Sequence, residues 1–191
     1  LPILLRALLD DKDGCGVQAF LLPGHVSTIL GLEPYGFLAS EYRVPAVVGG
    51  FEPVDILQAL CIMAEQRRDD APAVVNAYQR AVSDQGNPRA RALLETYFMP
   101  SDALWRGLGP IPNSGLALRP AYERFDAMKR LDITLPDVPP LPGCRCGQVL
   151  KGRITPPQCP LFGKACTPAS PVGPCMVSTE GSCAAYFKYM A

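Results

Sequence analysis

Six of the eight cysteines stand within forty residues near the end of the chain, in GCRCGQVLKGRITPPQCPLFGKACTPASPVGPCMVSTEGSC. They are Cys144, Cys146, Cys159, Cys166, Cys175 and Cys183. Thiols at this density do one of three things: pair as disulfides, hold zinc, or hold an iron–sulfur centre. Disulfides belong to oxidising compartments, and a reducing one turns clustered cysteines toward metal or redox work. Zinc ribbons and knuckles use paired C-x2–4-C elements, often with histidine. This run has one C-x-C, then single cysteines, and no histidine. A 4Fe–4S cube takes four thiolates whose spacing along the chain is free to vary. Two thiols are then left over, enough for one dithiol/disulfide couple beside it. Spacing favours the cube and leaves the other two open.

Five further residues carry candidate chemistry. His25, the lone histidine, follows an apolar run in LPGH, and Glu52 and Asp55 follow another in VVGGFEPVD. If those runs are strands of a parallel sheet, all three residues lie at carboxyl ends, where such sheets meet ligands. The plainer readings are a capping or core histidine and carboxylates that complement a helix dipole. In WRGLG, Trp105 either packs or faces a ligand. Arg106 is either a surface cation or an anion-binding one, since a planar guanidinium suits such recognition. Cys61 falls on the apolar stripe of a helix and reads as a buried, inert thiol. Cys15, between glycines in a turn, reads as incidental.

The elements that must position these residues read as α/β. LPILLRALLD is a helix, and VQAFLLPG is a buried strand with a Pro-Gly stop. HVSTILGLEPYGFLASEY is helical with a break near Gly31 and Pro34. PAVVGGF is a second buried strand. EPVDILQALCIMAEQRRDD is the clearest helix, with Pro53 at its first position and Val54, Leu57, Leu60, Cys61 and Ala64 on one face expected to be buried. A helix is expected over 72–82, and another in GNPRARALLETYF, with Asn87 as N-cap and Pro88 behind it. WRGLGPIPNSGLALRPAYERFDAMKR reads as an irregular strand and loop, then a short helix from about Pro120. Short strands alternating with helices predict a mostly parallel, helix-flanked sheet.

Composition changes from Leu131. LDITLPDVPPLPG is proline-rich, and ten of the 21 prolines lie from Pro136 onward. Beyond it there are too few large apolar residues for a core without a staple. The expected organisation is an α/β domain over 1–131, a linker over 132–143 and a Cys-rich extension over 144–191. Net charge is zero, yet residues 1–139 hold 13 Lys/Arg against 17 Asp/Glu and residues 140–191 hold 5 against 1. Positive charge around thiolates reads as compensation for a metal site. No basic run interleaves with aromatics, which argues against nucleic acid as a partner. No apolar stretch approaches the roughly 20 residues of a membrane span. The opening lacks the basic-then-apolar form of a secretory leader. The expectation is a cytoplasmic fragment of a longer chain, missing its N-terminal part.

The run from Cys144 to Cys183 resembles the C-terminal cluster region of the HypD family, maturation proteins of NiFe hydrogenases. The resemblance continues through LPGHVSTILG, VVGGFEPVDILQ, GNPRARALLE and WRGLGPIPNSGLAL, and so covers nearly the whole chain. It implies two Rossmann-like domains plus a cluster-bearing extension, of which this chain looks like the second domain and the extension. It also implies a scaffold rather than a stand-alone enzyme. With the chaperone HypC, such a scaffold holds an iron ion while cyanide and carbon monoxide ligands are added, HypE supplying the cyanide. The family's iron-holding cysteines have no counterpart here. The family site looks like that of ferredoxin–thioredoxin reductase. That likeness implies Cys144, Cys159, Cys166 and Cys183 as ligands of a 4Fe–4S cluster, with Cys146 and Cys175 as a redox pair. By itself the tail would also serve a cluster-dependent disulfide reductase, which is the second class of function.

Overall fold

Three short apolar runs build the sheet. The computed structural model describes residues 1–105, 107–134 and 142–190. After α1 (Pro2–Leu9), β1 (Phe20–Pro23) pairs in parallel with β2 (Ala46–Gly49), and β2 with β3 (Val74–Asn76), in the order β1-β2-β3. Parallel neighbours need crossover connections. The first is α2 (Gly24–Leu30), a 3-10 turn and α3 (Phe37–Ser40); the second is α4 (Pro53–Arg68). The helices thus cover a parallel three-stranded sheet, an α/β arrangement. Leu22, Tyr35, Leu38, Ala46 and Val48 fill one side, with Leu5 and Val82. Val47, Ala59 and Met63 fill the other. Each fully buried large side chain there contributes about 1.5–3 kcal/mol by leaving water. Among the described residues no helix is long and apolar enough to cross a membrane.

Two expectations are corrected here. The segment 72–82 is not a helix: Val74, Val75 and Asn76 form β3, and turns follow. Two adjacent β-branched residues suit a strand, and Gln66 at the end of α4 takes the Ala73 amide at 2.6 Å, turning the chain back toward β2. Asn76 then closes the turn, accepting from the Tyr78 amide and donating to the Val82 carbonyl. The second correction concerns α4. Its buried residues are Asp55, Ala59, Met63 and Gln66, while Val54, Leu57, Leu60 and Cys61 are exposed. The apolar stripe faces outward because this sheet is contacted by the row four residues apart through Ala59, whose small side chain lets the helix sit close.

α5 (Pro88–Tyr97) starts as expected, the Asn87 side chain accepting from the Ala90 amide at 3.0 Å. β4 (Phe98–Trp105) and β5 (Gly109–Leu118) pair as a two-stranded hairpin, more regular than the strand and loop expected. A 3-10 turn over Pro120–Phe125 leads into α6 (Ala127–Arg130). The chain divides into two compact units. One comprises Leu1–Leu9, Gln18–Met99 and Ala117–Arg119; the other comprises Asp10–Val17, Pro100–Leu116 and the residues from Pro120 onward.

Candidate metal centre

The second unit has few large apolar side chains, and its core is built of sulfur instead. Cys146, Cys166, Cys175 and Cys183 are buried together with Met176 and Ala184. The cysteines arrive on separate short elements. Cys146 opens α7 (Cys146–Leu150), Cys175 lies in α8 (Pro174–Val177) behind Pro174, and Cys183 is in the first turn of α9 (Ser182–Tyr189). Cys159 and Cys166 bound a tight loop, in which the Phe162 amide donates to the Cys159 carbonyl at 3.0 Å and the Cys166 amide to that of Leu161 at 2.9 Å. All six thiols line one pocket, with Val149, Leu161, Phe162 and Met176 as its apolar wall.

Glycines let the backbone come close to these thiols. A Cβ on Gly147, next to Cys146, would collide with the Gly107 carbonyl oxygen, and one on Gly173 would lie 2.5 Å from Cys144 Sγ. Gly107 has φ +84°, and a Cβ there would stand 3.5 Å from Cys146 Sγ. The backbone at Gly107 therefore rests against the start of α7, beside Cys146, and needs a residue with left-handed freedom and no side chain. Trp105 ties the strand before it: its Nε1–H donates to Ser114 Oγ at 2.7 Å, and that hydroxyl donates to the Ile111 carbonyl at 2.7 Å. Arg106 lies outside the described residues, as does most of the expected linker.

The thiols are not alike. Burial pushes Cys144 up, and burial with the like charges of its neighbours pushes Cys183 up to about 11. Cys146 moves the other way, to about 7, because the Cys175 thiol hydrogen-bonds its sulfur. The same bond holds the proton on Cys175 and drives its ionisation far upward. Elsewhere in the pocket, the Val172 amide donates to Cys166 Sγ at 3.4 Å. Burial and neighbouring charge oppose ionisation of Cys144 and Cys183, and a bound cationic centre would relieve both.

The donor set fits an iron–sulfur centre. Among the described residues no three His, Cys, Asp or Glu side chains are grouped to hold a single metal ion. A cube is less demanding in that respect: each thiolate binds a different iron, so its ligands stand farther apart. Six thiols in an apolar wall, with no histidine or carboxylate among the lining residues, provide four ligands and two more.

The other unit carries its own group at the carboxyl ends of the strands. His25 is exposed in the first turn of α2, its ring tilted over that of Phe51 with centroids 5.3 Å apart. Glu52 is exposed at the start of α4. Asp55 is only 5% exposed and fully engaged: Arg80 Nη1 and Nη2 donate to its two oxygens at 2.7 and 2.6 Å. That bidentate bond holds its carboxyl below the usual carboxylate range. Arg80 also lies over the Tyr78 ring at 4.5 Å and stands 3.6 Å from Glu52. A Cβ on Gly50 would collide with the Asp55 carboxylate, which accounts for the second glycine of VVGG.

A family model described as "HypD: Hydrogenase formation hypA family" matches residues 1–190. The chain belongs to the HypD family. It is 45% identical over 174 residues to the hydrogenase maturation factor HypD of Rhizobium leguminosarum bv. viciae, covering 91% of this chain and 45% of that protein. It is 45% identical over 186 residues to the HypD of Escherichia coli K12, covering 97% and 50%. The HypD of Rhodobacter capsulatus is 42% identical over 193 residues, covering 98% and 51%. The chain spans about half the length of the curated relatives it matches.

Several residues of this HypD-family chain were not marked by local sequence signals. Arg80 and Tyr78 sit in the segment expected to be helical. Asp11, largely buried, pairs with Lys151 Nζ at 2.8 Å and Arg153 Nη2 at 2.5 Å. Cys15 is half-buried rather than idle: its thiol lies 3.7 Å from the Lys151 carbonyl, which also accepts from the Gly16 amide at 2.8 Å. The only hint was charge, the acidic DDKD run matching the basic KGR that follows Cys146.

Proposed function

We propose that this chain is the cluster-bearing part of a hydrogenase maturation factor. It works in the cytoplasm with the HypC chaperone as a scaffold on which an iron ion, its cargo, receives cyanide and carbon monoxide ligands, with HypE as the cyanide donor. Its α/β unit is Rossmann-like and its Cys-rich extension is an iron–sulfur module. Cys144, Cys159, Cys166 and Cys183 hold a 4Fe–4S cluster, and Cys146 and Cys175 form the redox couple. The observation that carries the reading is the convergence of six cysteines on one pocket. The names of the relatives support the same role. On this reading the cysteines that hold the cargo iron belong to the part of the relatives' length outside the match.

A bound 4Fe–4S cluster supplies one-electron transfer. The chain's own residues do the rest. Cys146 and Cys175 give up two electrons and two protons when they close to a disulfide, and take both back when it opens. At rest the proton stays on Cys175 while Cys146 is the sulfur that ionises first. Val149, Leu161, Phe162 and Met176 keep water from the thiols, and the turn at Gly107 backs Cys146.

The test is iron and acid-labile sulfide analysis of anaerobically prepared protein, about four of each per chain being expected. Cys146→Ser and Cys175→Ser should keep the cluster spectrum, and Cys144→Ser and Cys159→Ser should lose it. Stoichiometric zinc without labile sulfide would sink the proposal. The two thiols beyond the four ligands also fit a cluster-dependent disulfide reductase. A scaffold co-purifies with HypC and carries extra iron, whereas a reductase turns over a protein disulfide without either.

A further inference from the structure

α7 carries Cys146 at its first position, yet at five residues it is too short to hold a helical shape unaided. It is gripped from both ends. At its start the Gly107 backbone lies against Gly147. At its end the segment Asp11–Gly16, far earlier in the chain, closes on Lys151, Gly152 and Arg153. Asp11 accepts from Lys151 Nζ at 2.8 Å and from Arg153 Nη2 at 2.5 Å, and the Gly14 carbonyl accepts from Arg153 Nε at 2.7 Å. The Gly16 amide donates to the Lys151 carbonyl at 2.8 Å, and a Cβ on Gly16 would collide with the Gly152 carbonyl oxygen. These charges are largely out of water: the side chains of Asp11, Lys151 and Arg153 are 16%, 21% and 23% exposed. Charge-assisted bonds so sheltered hold a backbone more firmly than a surface pair does. The grip passes into α7 itself, where the Lys151 amide donates to the Gly147 carbonyl at 3.1 Å and the Arg153 amide to that of Gln148 at 3.0 Å.

The element bearing Cys175 is built differently. α8, of sequence PCMV, has no charged side chain to anchor it, and the residues that follow from Val177 to Glu180 are exposed. Closing a disulfide brings two sulfurs from non-bonded separation to about 2.0 Å, so one of the two elements must give. With α7 anchored, that element is α8. We propose that Asp11 is a positioning residue of the redox couple: through Lys151 and Arg153 it anchors α7, so that Cys146 stays fixed and Cys175 moves to it when the disulfide closes. The proposal rests on the reading of Cys146 and Cys175 as a couple and adds Asp11 to it. A sulfur already held in place loses less freedom on bonding, which favours the disulfide. Without the anchor the balance moves toward the dithiol.

The measurement is the equilibrium of the anaerobically prepared chain with glutathione, read by alkylation and peptide mass spectrometry. One glutathione disulfide takes two electrons and two protons from Cys146 and Cys175, leaving a protein disulfide and two glutathione thiols. Asp11→Asn should favour the dithiol by about tenfold, a rise of about 30 mV in potential. Asp11→Glu, which keeps a carboxylate for both cations, should recover most of that shift. Asp13→Asn should stay within about twofold of the parent, because Asp13 is 79% exposed and 3.5 Å from Arg153. A parent-like equilibrium in folded Asp11→Asn would overturn the proposal, even if its melting temperature fell. So would an equal shift in Asp13→Asn, which would make the effect one of charge rather than position. If Asp11→Asn does not fold, Lys151→Gln decides, since it keeps the Arg153 bond: about a threefold move toward the dithiol is expected, and no move overturns the proposal. Absence of a Cys146–Cys175 disulfide in the parent at every glutathione ratio would remove the couple and the proposal together. A couple that forms in the parent and ignores Asp11 removes the proposal alone.

Discussion

Gly147→Ala tests the close approach on which the thiol pocket depends. The new Cβ would overlap the Gly107 carbonyl oxygen and stand 3.1 Å from its carbon. Both obstacles are backbone, so nothing swings aside as a side chain would; either the hairpin turn or α7 must move. Overpacking of this sort costs about 1–3 kcal/mol, and rigid backbone puts this case at the upper end. Alanine returns about 1 kcal/mol through its better helix propensity, leaving a net loss of about 2 kcal/mol. That is roughly a 30-fold rise in the population with the pocket open. The assay is maleimide labelling of Cys146 in anaerobically prepared protein, read by peptide mass spectrometry, and the expected rate increase is of that size. Gly36→Ala is the control, since Gly36 has φ −51° and its Cβ would make an ordinary 3.4 Å contact with the Glu33 carbonyl. A Gly147→Ala labelling rate within about twofold of the parent would refute the reasoning, because 2 kcal/mol cannot hide in so small a change.

Asp55→Asn removes the anchor of Arg80 and should lower the thermal stability of the α/β unit. Because the Asp55 carboxyl ionises below its ordinary value, its contribution is complete above about pH 4 and fades as pH falls through the lower folded value. Melts between about pH 2 and 7 should therefore show a shallower acid decline in Asp55→Asn than in the parent, and equal slopes would count against the pair. Cys61 should label with maleimide far faster than Cys146, and Cys61→Ser should alter stability by no more than about 0.5 kcal/mol; slow labelling would mean that the outer face of α4 is covered. Asn87→Ala should cost about 1 kcal/mol in urea denaturation by freeing the Ala90 amide at the start of α5, and an unchanged midpoint would show that the cap bond is not made.

What could be read from the sequence divides along the range of the interactions involved. The start of α5 was legible because Asn87, Pro88 and the Ala90 amide lie within four residues of one another. The limits of α4 were legible for the same reason, but its buried side was not. Val54, Leu57, Leu60 and Cys61 record where apolar surface is carried, not what this chain lays against it. β3 escaped because three residues have no periodicity to detect, and its identity comes from the edge of β2. Arg80 escaped with it, since its partner Asp55 is 25 positions away. The cysteine run was legible as chemistry from density alone. That Gly107 and Gly147 meet beside Cys146 depends on a hairpin folding back across forty residues, and nothing in WRGLG states its destination.

The pairing of Asp11 with Lys151 and Arg153 has a consequence for synthesis. Asp10–Val17 belongs to the same compact unit as the end of the chain, so the segment Gln18–Met99 is inserted between two parts of that unit. With 142 positions between Asp11 and Arg153, a ribosome making roughly 5–20 residues per second leaves the aspartate waiting for about 7 to 28 s. The strands of the parallel sheet are all made by Asn76, and that unit has most of this interval in which to fold. The six thiols then emerge within seconds of one another, and none completes the pocket before Cys183 is made. Translation thus delivers the reactive sulfurs well after the aspartate that ties their unit together.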